Sequence, residues 1–359
     1  MNLPQHGSNP QYVYQEMGIE KPDQIMDLSA NINPLGPPKH LEQNWMSFFQ
    51  KINDYPDPYS LSLKTMISEK NEINMDSVLI GNGGAELISL VGRLLLEKNV
   101  LITEPGFSEY EKACQANDCR IYYHYLKEPH WELHIHEIKE KLEAIDAVFL
   151  CNPTNPTGVF YSYDTIVQLL EECKKANALL IVDEAFYDFV EEYTPIAALI
   201  NDYKNLVILR SMTKMFAIPG LRLGYMMAHP SVVEEISVYQ SHWNVNALAM
   251  TAGELCLQDE SFVHRTVQYI KKERTRLFAF FDKESFVYSP SKVNFYLLKE
   301  PKKDYMGELF AYLLKKGIVP RHTCNFPGIE GKWLRFAIKS IEENNQLMEA
   351  LKEWKQQFP

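Results

Sequence analysis

The sequence predicts an α/β protein with a parallel sheet covered by helices, and three stretches carry that expectation. DAVFLC at 146–151 is a short apolar run that ends in the proline-rich loop NPTNPTG. The YDTIVQLLEECKKANA segment after it repeats apolar residues at helical spacing, with Asp164 near its start. LLIVDEAF at 179–186 is a second apolar run entering acidic residues, and NLVILRS at 205–211 is a third. Strand, loop and helix alternating in this way build a parallel sheet, whose ligands collect beyond the carboxyl ends of the strands.

Those ends carry polar groups. The first strand delivers Asn152 and Asn155, the second Asp183, and the third Ser211, Thr213 and Lys214. Upstream, VLIGNGGAELISLVGRLL at 78–95 reads as a strand, a glycine-rich turn and an amphipathic helix. Backbone N–H groups of Gly83, Gly84 and Ala85 at that helix start form an anion nest aided by the helix dipole, which suits a phosphate. Glycine pairs more often mark plain turns. Its place on the same sheet edge is what gives this one weight.

Composition bounds the rest. A chain of 359 residues exceeds the size at which single cores stop growing, so two domains, or one with an appendage, are expected. Hydrophobic content of 46% and charged content of 23% are ordinary for a globular protein, and no apolar run approaches a membrane span. The start MNLPQHGSNPQYVYQ has no basic lead and no apolar core of a secretion signal, so the cytoplasm is expected. Six scattered cysteines lack metal-site spacing and read as reduced, small hydrophobes; no metal is expected. A net charge of −11 argues against a nucleic-acid surface, and any anionic ligand must find locally placed cations.

The groups on the sheet edge suit a ligand with a phosphate, a protonatable ring nitrogen and an electrophilic carbon near a lysine amine. Pyridoxal phosphate has all three. Lys214 would bond its aldehyde carbon, which needs a neutral amine; Met212, Met215 and Phe216 help by disfavouring the charged form. Asp183 would pair with the ring nitrogen and keep it protonated. Arg222 would reach the phosphate beside Ser211 and Thr213, Asn155 the phenolic oxygen, and Phe107 would stack on the ring. Singly, each residue has a blander reading. Lys214 could extend its ammonium to water, Asp183 could cap a helix, Phe107 could be core and Arg222 a surface ion pair. Their conjunction in a fixed order on one edge outweighs these.

NPTNPTG, VDEAF, RSMTKMFAIPGLRLGY and the late WLRFAI together resemble the fold-type I, aspartate aminotransferase-like superfamily of pyridoxal phosphate enzymes, over nearly the whole chain. HGSN with DLSANINPLGPP, WNVNALAMTAGELCLQD and VPRHTCNFPGIEGKWLRFAIKS resemble its threonine-phosphate decarboxylase branch, close to the histidinol-phosphate aminotransferases. The resemblance implies a seven-stranded, mostly parallel sheet sandwiched by helices in a large domain over 42–245. A smaller α+β domain would join 1–41 to 246–359. It implies a homodimer with shared sites, in which Tyr55 reaches the neighbour's cofactor phosphate; a turn tyrosine is the bland alternative. It also implies that Arg335 holds a substrate α-carboxylate, and that Arg321 and His6 lie near the substrate's phosphate or carboxylate, with Asn31 or Asn33 contributing.

One departure stands out. Many superfamily aminotransferases place tyrosine three positions after the ring-pairing aspartate, where this chain has Phe186, as the decarboxylase branch does. That missing donor leaves Asn155 as the phenolic oxygen's partner. The implied activity is decarboxylation of a small phosphorylated amino acid, threonine phosphate, in cobalamin biosynthesis, with amino transfer on histidinol phosphate or a similar amino acid or amine as the alternative. Some regulators carry this fold behind a DNA-binding winged helix; the short segment before the first motif and the acidic charge weigh against that reading.

Overall fold

The computed structural model describes residues 3–358. Seven strands form the main sheet: β1 Val78–Gly81, β2 Asn99–Glu104, β3 Arg120–Tyr125, β4 Ala147–Cys151, β5 Leu179–Asp183, β6 Leu206–Ser211 and β7 Gly224–Ala228. Their order across the sheet is β1-β7-β6-β5-β4-β2-β3. All pairings are parallel except those of β7, which runs antiparallel to β1 and β6. The three apolar runs read from the sequence are the adjacent central strands β4, β5 and β6.

Two apolar clusters cover the two faces of the sheet. Along β4, Val148 and Leu150 enter one cluster while Phe149 and Cys151 enter the other. A strand buried on both sides needs a continuous apolar run rather than alternation, and these strands supply it. Helices α1 Lys39–Phe48, α2 Leu61–Asn71, α3 Gly84–Leu94, α4 Glu109–Gln115 and α5 Tyr163–Lys175 belong to the covering layers. The helix expected after NPTNPTG starts one residue past Ser162, whose Oγ accepts the Thr165 N–H at 3.2 Å as an N-cap.

Between β6 and β7 the chain makes no helical crossover. Residues 212–223 form a loop and a short 3₁₀ turn at Pro219–Leu221, then return antiparallel, so Lys214 stays at the carboxyl end of β6. Helix α6 Ala247–Gln258 packs on α1 and α2, and a Cβ at Gly253 would meet Leu223 and Leu63 at 2.5 and 3.4 Å. These contacts set it against two helices of the large sheet's covering layers. Its apolar residues surround the helix, so periodicity does not show which layer they join.

The chain continues through the long helix α7 Glu260–Lys283 into a second, antiparallel sheet. Its strands are β8 Val287–Tyr288, β9 Phe295–Lys299, β10 Arg321–His322 and β11 Leu334–Ala337, ordered β10-β11-β9-β8. Met26–Asp27 pairs with Ile318–Val319, tying the N-terminal segment to this C-terminal part. Helix α8 Ile341–Gln357 closes the chain with a capping box between Ser340 and Glu343. The six cysteines are free, and among the described residues no cluster suits a metal and no helix is long and apolar enough to cross a membrane.

Candidate active site

The carboxyl ends of β4, β5 and β6, the start of α3 and strands β10 and β11 enclose a cavity of about 380 Å3. Lining it are Lys214, Asp183, Asn155, Ser211, Thr213, Arg222, Gly84, Ala85 and Phe107 from the main sheet's loops, and His6, Asn31, Arg321 and Arg335 from the N- and C-terminal parts. Register explains the convergence: Cys151 pairs with Asp183 and Asp183 with Leu209, so β4 and β5 end level and β6 runs two residues farther, to Ser211.

One corner is cationic and rich in donors. Gly83 precedes α3 with φ +79°, and a Cβ there would lie 2.5 Å from Arg222 Nη2. Ser211 and Thr213 hydroxyls lie 2.8 Å apart, and Arg222 donates to Pro219 O at 3.1 Å. An anion held here meets a helix N-terminus, two hydroxyls and a guanidinium, which fits a cofactor phosphate. Gly83→Ala is expected to strain the turn, whose φ of 79° and ψ of 171° only glycine adopts readily, by about 1 to 3 kcal/mol and to push Arg222 aside. Fluorimetric titration of the apoprotein should show cofactor binding weakened about 10-fold or more; an unchanged constant would remove Gly83 from the site.

At the cavity's centre Asp183 is 7% exposed. Its Oδ2 accepts the Tyr110 hydroxyl at 2.6 Å and its Oδ1 the Ala185 N–H at 2.9 Å. Each oxygen keeps a further acceptor position, as a protonated ring nitrogen requires. Half-buried Lys214 has its pKa lowered to about 8, chiefly by burial and then by the Arg335 and Arg222 charges. The depressed value favours the neutral, nucleophilic amine. In the apoprotein, amine-directed acylation of Lys214 should therefore rise with pH through a midpoint near 8, read by peptide mapping; a midpoint at the ordinary lysine value would exclude this environment.

The other end is built by two arginines. Arg321 on β10 and Arg335 on β11 are direct cross-strand partners, and both line the cavity. Arg335 donates from Nη1 to Asn155 Oδ1 at 2.5 Å and from Nη2 to Ser29 O at 2.7 Å, while its buried Nε has no partner. Because Asn155 Oδ1 is occupied by Arg335, its amide N–H groups are the part left to donate to a ligand. Arg321 donates to His322 O at 2.9 Å, to Gln5 O at 2.5 Å and to Asn325 Oδ1. Burial lowers the Arg335 pKa to about 9 and that of Arg321 to about 10, so both stay charged at neutral pH. Neither pairs with a carboxylate among the described residues. His6 meets Glu109 Oε1 at 2.9 Å, its ring 5.7 Å from Phe107.

Three expected residues do not line the cavity. Gly83 lies just behind it, as described. Asn33 is a structural brace: its Nδ2 donates to Met215 O at 2.7 Å and Thr266 Oγ1 at 2.8 Å, and its Oδ1 accepts from Leu35 N–H. Of the two asparagines offered as alternatives, Asn31 lines the cavity, with a buried Oδ1 that has no partner. Tyr55 is 81% exposed and its ring lies 4.8 Å from that of Trp243. Tyr110 was missed by sequence reasoning, although its spacing of three from Phe107 across the start of α4 was a usable signal. Phe186 lines the cavity edge-on to Phe295 at 4.8 Å, so no hydroxyl stands there.

A family model described as aminotransferase class I and II matches residues 23–351. The chain belongs to this family. It is a pyridoxal phosphate-dependent enzyme, and the residues above fit that cofactor at its phosphate, its ring nitrogen and its aldehyde. The chain is 34% identical over 350 residues to the threonine-phosphate decarboxylase of Salmonella typhimurium, covering 97% of this chain and 95% of that one. It is 32% identical to the adenosylcobalamin biosynthesis bifunctional protein CobDQ of Leptospira interrogans, over 98% of this chain and 41% of that one. The crystal structure of the histidinol-phosphate aminotransferase from Clostridium acetobutylicum superposes with a TM-score of 0.87 at 31% identity, covering 92% of this chain and 99% of that one.

Proposed function

We propose that this enzyme, as a cytoplasmic homodimer, decarboxylates L-threonine O-3-phosphate to (R)-1-aminopropan-2-ol phosphate in cobalamin biosynthesis. The observation that carries the reading is the facing pair Arg321 and Arg335. Like charges directly opposite across two strands are destabilising. Without carboxylate partners they are best compensated by a ligand with two anionic ends, such as a carboxylate and a phosphate.

Pyridoxal phosphate, when bound, supplies an electron sink for whichever Cα bond stands perpendicular to its ring. The chain's own contribution is orientation. Arg335 would grip the α-carboxylate, while Arg321, Asn31 and His6 would meet the phosphate, and together they decide which Cα substituent stands upright. Lys214, with its lowered pKa, is placed to return a proton to Cα after carbon dioxide leaves, or to remove one where hydrogen stands upright. The similarity to the Salmonella decarboxylase supports the first outcome. Exposed Tyr55 is available to a second copy, as shared sites require.

Amino transfer on histidinol phosphate is the second reading, favoured by the similarity to the Clostridium structure. Incubating the holoenzyme with threonine phosphate separates them. Carbon dioxide release without a keto acid supports decarboxylation; amino transfer dependent on a keto acid, with no carbon dioxide, overturns it.

A further inference from the structure

Tyr110 sits on the first turn of α4 and is 1% exposed. Its ring stacks on Phe149 of β4 at 5.0 Å with an interplanar angle of 12°, and meets Phe107 edge-on at 5.8 Å and 82°. Its hydroxyl, 2.6 Å from Asp183 Oδ2, makes the shortest side-chain contact to that carboxylate. One rigid side chain thus touches both the residue offered to the cofactor's face and the residue offered to its ring nitrogen. A phenol locked by stacking loses little freedom in holding a hydrogen bond, so the O–H vector is set before any ligand arrives.

We propose that Tyr110 is a positioning residue: its hydroxyl holds Asp183 in the ionised, ring-facing state on which a protonated cofactor nitrogen depends. The proposal rests on the reading of Asp183 as the ring's partner. The physical reason is competition for one proton. Between a pyridine nitrogen and a carboxylate, the proton stays on nitrogen only while the carboxylate is the weaker base, and a charge-assisted donor at Oδ2 makes it so. Burial raises the proton affinity of Asp183, and Glu184 adds to it. The hydrogen bonds from Tyr110 and the Ala185 N–H oppose this, as does the Lys214 charge. Cys151 also faces the carboxylate, its thiol kept protonated by burial. Tyr110 itself stays protonated, because burial and the Asp183 charge drive its pKa far up. Removing its hydroxyl removes the side-chain donor that no other packed element replaces.

The test uses holoenzyme carrying cofactor labelled with nitrogen-15 in the ring, with the resonance followed against pH. In Tyr110→Phe, which keeps the stack on Phe149, the resonance is expected to move toward the unprotonated position at neutral pH. Cofactor should also dissociate about 10-fold more readily. Placing 3-fluorotyrosine at 110, a stronger donor, should move the resonance further toward the protonated position at neutral pH, a graded response that packing alone does not give. Asp183→Asn serves as the reference for a ring without its carboxylate. If Asp183→Asn leaves the resonance in place, the reading of Asp183 fails and this proposal with it. If Asp183→Asn moves the resonance while Tyr110→Phe and the fluorinated residue do not, Asp183 keeps its role and the proposal for Tyr110 is overturned.

Discussion

Lys214→Ala is expected to lower turnover at least ~10⁴-fold, because in the proposed mechanism one side chain would supply both the amine that bonds the cofactor and the group that carries the Cα proton. The variant should still bind cofactor, since Arg222, the α3 N-terminus and Asp183 act independently of the amine. Borohydride reduction and peptide mapping should find the pyridoxyl tag on Lys214 in the unmodified enzyme and nowhere in the variant. Lys214→Arg is the informative companion. It keeps a long cationic side chain but cannot present a neutral nitrogen near pH 7, so it should be as inactive as alanine. A tag on another lysine, or turnover within tenfold of normal, would sink the assignment.

How far the sequence reaches can be judged residue by residue. DAVFLC, LLIVDEAF and NLVILRS declared themselves because strands buried on both faces need continuous apolar runs, and the polar residues at their ends followed from chain order. Asn31 and Asn33 could not be told apart by pattern. Their difference is a local turn, in which Asn33 Oδ1 accepts the Leu35 N–H and Gly36 N–H bonds to Asn33 O, swinging its amide under the Lys214 loop. Tyr110 escaped because its partner lies 73 residues away and only the folded sheet brings Asp183 to it. The same holds for the buried pair of Arg210 with Glu184 at 2.9 Å, next in sequence to Ser211 and Asp183. Each sits one residue from a residue expected in the site, yet pairing across β5 and β6 is a tertiary fact. The facing of Arg321 and Arg335 is likewise a matter of strand register, which spacing alone does not specify.

That facing yields the second large effect, with opposite signs for activity and stability. Arg335→Met is expected to lower kcat/KM about 10² to 10³-fold, because truncating one partner of a buried, charge-assisted contact costs about 2 to 5 kcal/mol. Before substrate arrives, however, the guanidinium is buried opposite Arg321 with an unpartnered Nε, and its two bonds go to neutral oxygens. An apolar side chain of similar length removes both a desolvated charge and a like-charge contact. The ligand-free variant should therefore melt at the same temperature as the unmodified protein or above it, by calorimetry. Arg335→Lys divides charge from shape: it keeps the cation and loses the planar fork, so it should recover only part of the activity. Substrate analogues sharpen the reading. One lacking the carboxylate should bind the methionine variant about as well as it binds the unmodified enzyme, whereas one lacking the phosphate should still discriminate between them. Equal losses for both analogues, or a melting point that falls with activity, would mean that Arg335 holds the fold together rather than waiting for an anion.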